Sequence, residues 1–418
     1  MKSRILAAAL LASPVALAHP AFAAEKPFGA PVPVSEDITF DPIIAARLRY
    51  EAVDQPTLDA DAVTARLRAG FEIKHAPSHL SFLVEAEGTL GLQNDYNAFP
   101  FPLPGASQRR PGFSVVPDGE SIDLNRLQVQ YKTKAFALTV GRQRINLDDQ
   151  RFVGSVGWRQ NEQTFDAVRA EASLGPVTLD GTYAIQQDSI FGSEAGPRRS
   201  MDGDFVFLNA GAKLGPITAK AFSYMIDYDE AFAFANSSQT YGARLAGSVP
   251  LSKAVKLNVL ASYARQMDLG QNPANYEADY VLGEVGLSSM GFTLTGGYEL
   301  LGADKAAGKS FQTPLATLHK FNGWADLFLT TPAAGLEDYY LSLAKVLPKV
   351  KSLPGLNATV AYHEFRSDIG STKFGTEWDA SLGFKVRNVG LLLKYADYNA
   401  KAFGADKSIL WLQAEVAF

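Results

Sequence analysis

Cysteine is absent from all 418 residues, so the chain has no disulfide framework, thiolate metal site or cysteine nucleophile. Histidine is nearly as scarce. With only 5 in the chain, the one pair at a metal-ligand spacing is His75 and His79, and Pro77 between them predicts a solvated turn, not a zinc-binding helix face. Long apolar runs are also missing beyond the first two dozen residues, and mean hydropathy is close to zero at −0.04. Membrane-spanning helices are thereby excluded. A membrane barrel is not, because its strands hide their hydrophobicity in alternation.

What is present begins with MKSRILAAALLASPVALAHPAFAAE. Lys2 and Arg4 precede an apolar run and then Ala21-Phe22-Ala23, the pattern of a secretory signal peptide cleaved after Ala23. The run is broken by Pro14 and Pro20 and is too short for an anchor. Its loss removes two positive charges and no acid from a chain of net charge −5, leaving a mildly acidic protein with a short periplasmic lead at 24–37.

From residue 38 onward the period is two. Val63, Ala65, Leu67, Ala69, Phe71 and Ile73 alternate with Thr64, Arg66, Arg68, Gly70, Glu72 and Lys74, and Trp378, Ala380, Leu382, Phe384 and Val386 alternate with polar neighbours in the same way. Connections alternate between tight turns, such as 132–135, 174–177, 214–217, 288–291 and 387–390, and long loops, such as 94–120, 145–162, 188–203 and 302–337. All tight turns therefore lie at one end and all long loops at the other. The expected fold is all-β, a transmembrane antiparallel barrel of about eighteen strands over 38–418, with short periplasmic turns and long extracellular loops. Leu410, Leu412, Ala414, Val416 and Phe418 close the chain on an aromatic, as the last strand of bacterial outer-membrane proteins does, which predicts recognition by the outer-membrane assembly machinery.

The stretches GRQRINLDDQRFVGSVGWRQNEQTFDAV (141–168) and FQTPLATLHKFNGWADLFLTTPAAGLEDYY (311–340) resemble segments of the alginate export family of outer-membrane porins. The resemblance implies an eighteen-stranded monomeric barrel in a Gram-negative outer membrane, whose characterised members pass an anionic uronate polysaccharide outward through a basic lumen.

If apolar residues face lipid, the lumen receives Arg47, Arg49, Arg66, Arg68, Arg126 and Arg169, and with them Arg142 and Arg144, which face the lumen or sit at the outer rim, since an arginine facing lipid costs about 2 to 4 kcal/mol near the midplane. Glu85 and Glu87, together with Glu51, Asp180, Glu377, Asp379 and Glu415, share that wall. Two readings follow. The arginines form an anion-attracting constriction, or Arg66 and Arg68 pair with Glu85 and Glu87 and hold the lumen together. Asp148, Asp149 and Arg151 belong to an outside loop that folds inward in the first reading. The apolar loops 94–120 and 302–337 are expected to pack into the mouth as a lid, or to touch surface lipid or a partner.

ADKAAGKS (303–310) matches a relaxed phosphate-loop pattern, but Ala303 replaces its first glycine and Pro314 follows closely, so nucleotide binding is not expected. The sequence therefore predicts a passive channel for anionic or polar carbohydrate-like solutes, export of an alginate-like polyuronate being one form of it. No catalytic residue, cofactor, metal or nucleic acid is expected. The expected partners are outer-membrane lipid and lipopolysaccharide. A barrel-borne surface hydrolase and a closed structural or adhesive barrel are the alternatives.

Overall fold

Leu67 is 53% exposed whereas Arg66 and Arg68 on either side of it are each 2% exposed, so the period-two pattern turns arginine inward and leucine outward. The same phase recurs around one closed sheet in the computed structural model, which describes residues 31–347, 350 and 353–417. The signal peptide and Phe418 lie outside the described residues.

The wall starts with β1 (Ile38–Asp54), β2 (Ala60–His75), β3 (Leu80–Asp95), β4 (Ser121–Lys132), β5 (Phe136–Gln143) and β6 (Thr164–Leu174). It continues through β7 (Val177–Asp188), β8 (Ser200–Leu214), β9 (Ile217–Tyr228), β10 (Ser238–Pro250), β11 (Val255–Asp268) and β12 (Glu277–Ser289). β13 (Phe292–Leu301), β14 (Leu336–Leu347), β15 (Leu356–Arg366), β16 (Lys373–Val386), β17 (Val389–Ala400) and β18 (Lys407–Ala417) complete it. Each strand pairs antiparallel with its sequence neighbours, and β18 returns to β1 with Arg47 opposite Glu415. A closed ladder satisfies its own backbone groups, which is what lets strands cross a bilayer.

The tight turns are built by local chemistry. Between β12 and β13, Met290 and Gly291 have φ of 48° and 77°, the doubly left-handed conformation that matches the twist of a two-residue hairpin. The long connections behave differently. Residues 96–120, 144–163 and 302–335 bend into the barrel and bury Tyr96, Phe99, Ile145, Val153, Phe311, Leu315 and Trp324. The apolar surface expected to need cover is therefore covered by the lumen.

Within 302–335, Ala303–Asp304 pairs with Lys309–Ser310 as a small hairpin, so ADKAAGKS is a turn and opens no helix. His75 sits on an exposed turn, where its Nδ1 meets Ser78 Oγ at 2.7 Å.

Candidate functional site

The inward loop 144–163 follows β5, where the left-handed Asp148, Gln150 and Val156 (φ 52°, 71° and 53°) turn the chain back on itself. It is stitched to the 302–335 loop. Val153 bridges Leu315, the Gly154 N–H donates to the Leu315 carbonyl at 2.9 Å, and the Val156 N–H donates to Thr317 Oγ1 at 3.1 Å. Arg151, 1% exposed, ties both loops to the far wall through Glu299 (2.6 Å), Thr313 (3.0 Å) and Asn322 (3.0 Å). Lys220 to Asp148 at 2.5 Å and Arg244 to Asp149 at 2.7 Å add two more anchors. The two loops form one plug across the lumen.

On the β1–β4 side the plug meets a wall of arginines. Arg47 donates to the carbonyls of Gly157, Trp158 and Arg159, each at 3.1 Å, and Arg49 donates to the Trp158 carbonyl at 2.6 Å. Arg47 and Arg66 stand opposite each other in register, a like-charge pair that would destabilise the sheet. Glu415 resolves it, accepting from Arg47 at 3.1 Å and from Arg66 at 2.9 Å at the seam where β18 meets β1.

Deeper pairing accounts for the rest. Arg68 meets Glu87 and Glu162, Arg126 and Arg144 share Glu85, and Arg144 also meets Glu162. Arg49 faces Asp118 at 3.5 Å, and Arg159 takes Glu51 at 3.1 Å and Asp326 at 2.9 Å. Each of these arginines thus has a carboxylate partner. Glu162, whose burial alone would push its pKa up, is held below the usual carboxylate range by Arg144 and Arg68.

Of the residues expected in the lumen, Arg47, Arg49, Arg66, Arg68, Glu85 and Glu87 are buried there and Arg126 and Arg144 join them. Arg169 also faces inward but stands apart, paired with Asp180 at 2.7 Å. Glu85 serves Arg126 and Arg144 instead of Arg66, because Arg66 lies opposite Thr89 in the β2–β3 register. Arg142 corrects the pore-lining expectation and takes the outer-rim alternative. It shares the outward face with Val140 and stands opposite Leu127, and it survives there because Asp166 at 2.8 Å and Asp188 at 3.1 Å neutralise it near the strand's outer end.

The tip of the second loop, Asn322-Gly323-Trp324-Ala325-Asp326, has left-handed residues at Asn322, Gly323 and Asp326 (φ 55°, 80° and 57°). That knuckle aims the Ala325 N–H at Glu377 Oε1, 2.7 Å away. Beside it Lys394 lies 3.8 Å from the Trp324 ring and 4.5 Å from that of Trp158, and its Nζ donates to His319 Nε2 at 2.6 Å. His319 Nδ1 donates in turn to Asp326 Oδ1 at 2.9 Å, and its ring stacks on Trp158 at 4.5 Å. Burial pushes the His319 pKa down to about 3, so the imidazole is neutral and can accept from Lys394.

This ion-paired plug inside eighteen strands is the geometry to compare with known proteins. Residues 43–188 match the alginate export family. The alginate export match spans β1 to β7 and includes the arginine wall and the inward loop 144–163. No curated protein matches the chain. Among solved structures, Pseudomonas aeruginosa OpdL is similar with a TM-score of 0.66 at 16% identity, over 90% of this chain and 98% of that one. Acinetobacter baumannii OccAB4 gives 0.70 at 13% identity, over 91% and 98%. P. aeruginosa OpdK, solved with vanillate, gives 0.68 at 13% identity, over 91% and 98%. The fold is that of outer-membrane porins.

Trp324 belongs to the apolar loop expected to pack into the mouth and does so, whereas the parts that Arg159, Asp118, Glu162, His319, Trp158 and Lys394 play in the plug were not foreseen. Trp158, Arg159, Glu162 and His319 lie inside the two stretches that carried the family resemblance, which was their signal.

Proposed function

We propose that the protein is a passive outer-membrane channel for small polar or anionic solutes, without a cofactor and without catalysis. The observation that carries this reading is the plug. Two stitched loops cross the lumen and leave a vestibule of about 480 Å³ at the outer mouth, a volume typical of small-molecule sites. An extended polyuronate would have to displace the plug and its buried ion pairs, so a monomeric or short solute is the better fit. The compensated arginines support local steering of an anion along the wall and not a large net field.

The hydrolase reading finds less support. Two His–Asp pairs exist, but His319 Nε2 accepts from Lys394 and His363 Nε2 faces Asp379 at 3.7 Å, so neither is offered to a hydroxyl nucleophile. The outward leucine band supports contact with outer-membrane lipid and lipopolysaccharide, and the final strand supports handling by the outer-membrane assembly machinery. Liposome swelling tests the size reading. Proteoliposomes should admit glucuronate and exclude a hexamer of the same sugar acid, and equal entry of both would overturn it.

A further inference from the structure

The vestibule has a chemistry of its own. It opens to the outside beside Val115, Leu329 and Thr330, all exposed, and narrows to a floor formed by Arg159, His319, Asp326, Glu51 and Lys407. Ile190, Phe191, Met201 and Leu318 make its sides apolar. One end is therefore greasy and the other charged.

The floor charges are not equivalent. Arg159 grips Glu51 at 3.1 Å and Asp326 at 2.9 Å, and Asp326 also accepts from His319. Lys407, on the inward face of β18 two residues before the buried Ile409, is different. Among the described residues it makes no hydrogen bond or ion pair, although Asp326 and Glu51 attract it from beyond contact distance. An ammonium carries three donors, and Lys407 lines a cavity whose nearby carboxylates, Glu51 and Asp326, are already committed to Arg159. The side chain is half-buried and borders the open space of the cavity, so its ammonium is available to a ligand. A ligand carboxylate there gains a charge-assisted hydrogen bond.

We infer that the vestibule is a loading site for amphipathic acids: a carboxylate head taken by Lys407 and an apolar tail of a few carbons laid against Phe191, Met201 and Leu318. This rests on the channel reading above and names the solute class that the channel would load from outside. Length selectivity follows from the cavity, since about 480 Å³ holds a six-carbon chain with room and does not hold a polymer. Head-group selectivity follows from Lys407, which offers donors to an acid, fewer useful contacts to an amide and repulsion to an amine.

Titration calorimetry of the purified full-length barrel in detergent with hexanoate, hexanamide and hexylammonium separates these terms. Hexanoate should bind at least tenfold more tightly than hexanamide, and hexylammonium should not bind measurably. Lys407→Met keeps the length and removes the donors, so it should erase the difference between acid and amide while leaving the amide affinity within about twofold. Phe191→Ala should weaken acid and amide together. Equal binding of acid and amide to the unaltered protein, or an unchanged ratio in Lys407→Met, would overturn the site. A gel shift on heating shows in each case that the variant is folded. The same preparations reconstituted in bilayers keep the two claims apart: conduction without hexanoate binding defeats the site and spares the channel, whereas binding without conduction does the reverse.

Discussion

Acidifying the outer solution from pH 7 to pH 4.5 should open the plug through one residue, His319. Its neutral ring accepts from Lys394 at 2.6 Å and donates to Asp326 at 2.9 Å, with Arg159 on the far side of Asp326 and the rings of Trp158 and Trp411 packed against it. A proton on Nε2 would break the Lys394 bond and set two cations against each other. The pKa is about 3 with the plug in place and about 6.5 for a histidine released to water. Because the plugged value is the lower one, the stabilisation is fully present above 6.5 and is lost as the pH falls from there toward 3. The loss is about 1.4 kcal/mol per unit. At pH 4.5 that is about 3 kcal/mol, roughly a hundredfold shift in the ratio of closed to open plug. Asp326 and Glu162, held below the usual carboxylate range against the effect of burial by His319 and Arg159 and by Arg144 and Arg68 respectively, come into play only lower down. Single-channel recordings at pH 7, 6, 5 and 4.5 should show rising open probability, and His319→Gln should flatten that dependence. An identical pH response in the variant would refute the reasoning.

Three further outcomes follow from named contacts. Arg68→Met leaves Glu87 and Glu162 each short of a buried partner and should cost about 3–5 kcal/mol, read as a lower temperature for the gel shift of the barrel. Gly323→Val places a side chain at φ +80° against the Glu377 carboxylate, so the knuckle should lift and conductance should rise while the heat resistance of the wall is unchanged. Replacing Arg47, Arg49 and Arg66 by Gln should weaken anion preference most at 0.01 M salt, where the Debye length is about 30 Å, whereas Arg142→Gln, on the outer face, should leave the reversal potential unmoved.

The wall was legible because a barrel strand has one face in lipid and the other in the lumen. Leu67 between Arg66 and Arg68 states its orientation without help from distant residues, and the turn at Met290–Gly291 needs only local chemistry. Arg142 shows the limit of that argument. The parity of Leu138 and Val140 points it outward, and only the carboxylates of Asp166 and Asp188, which belong to other strands, make that position tolerable. The plug was legible only as a need for cover. Its apolar residues announce burial, but irregular backbone has no period, and contacts such as Lys394 with His319 or Arg47 with the Trp158 carbonyl join positions far apart in the chain. The seam was hidden for the same reason, since Arg47, Arg66 and Glu415 meet only when the sheet closes.

The central claim is a channel narrowed by two stitched loops, and paired bilayer recordings of the full chain and of a variant lacking residues 303–335 test it most directly. The full chain should carry a small, steady, anion-preferring current, and the deletion should remain folded and conduct several times more. Silence from both proteins, or equal conductance in the two, would contradict the account.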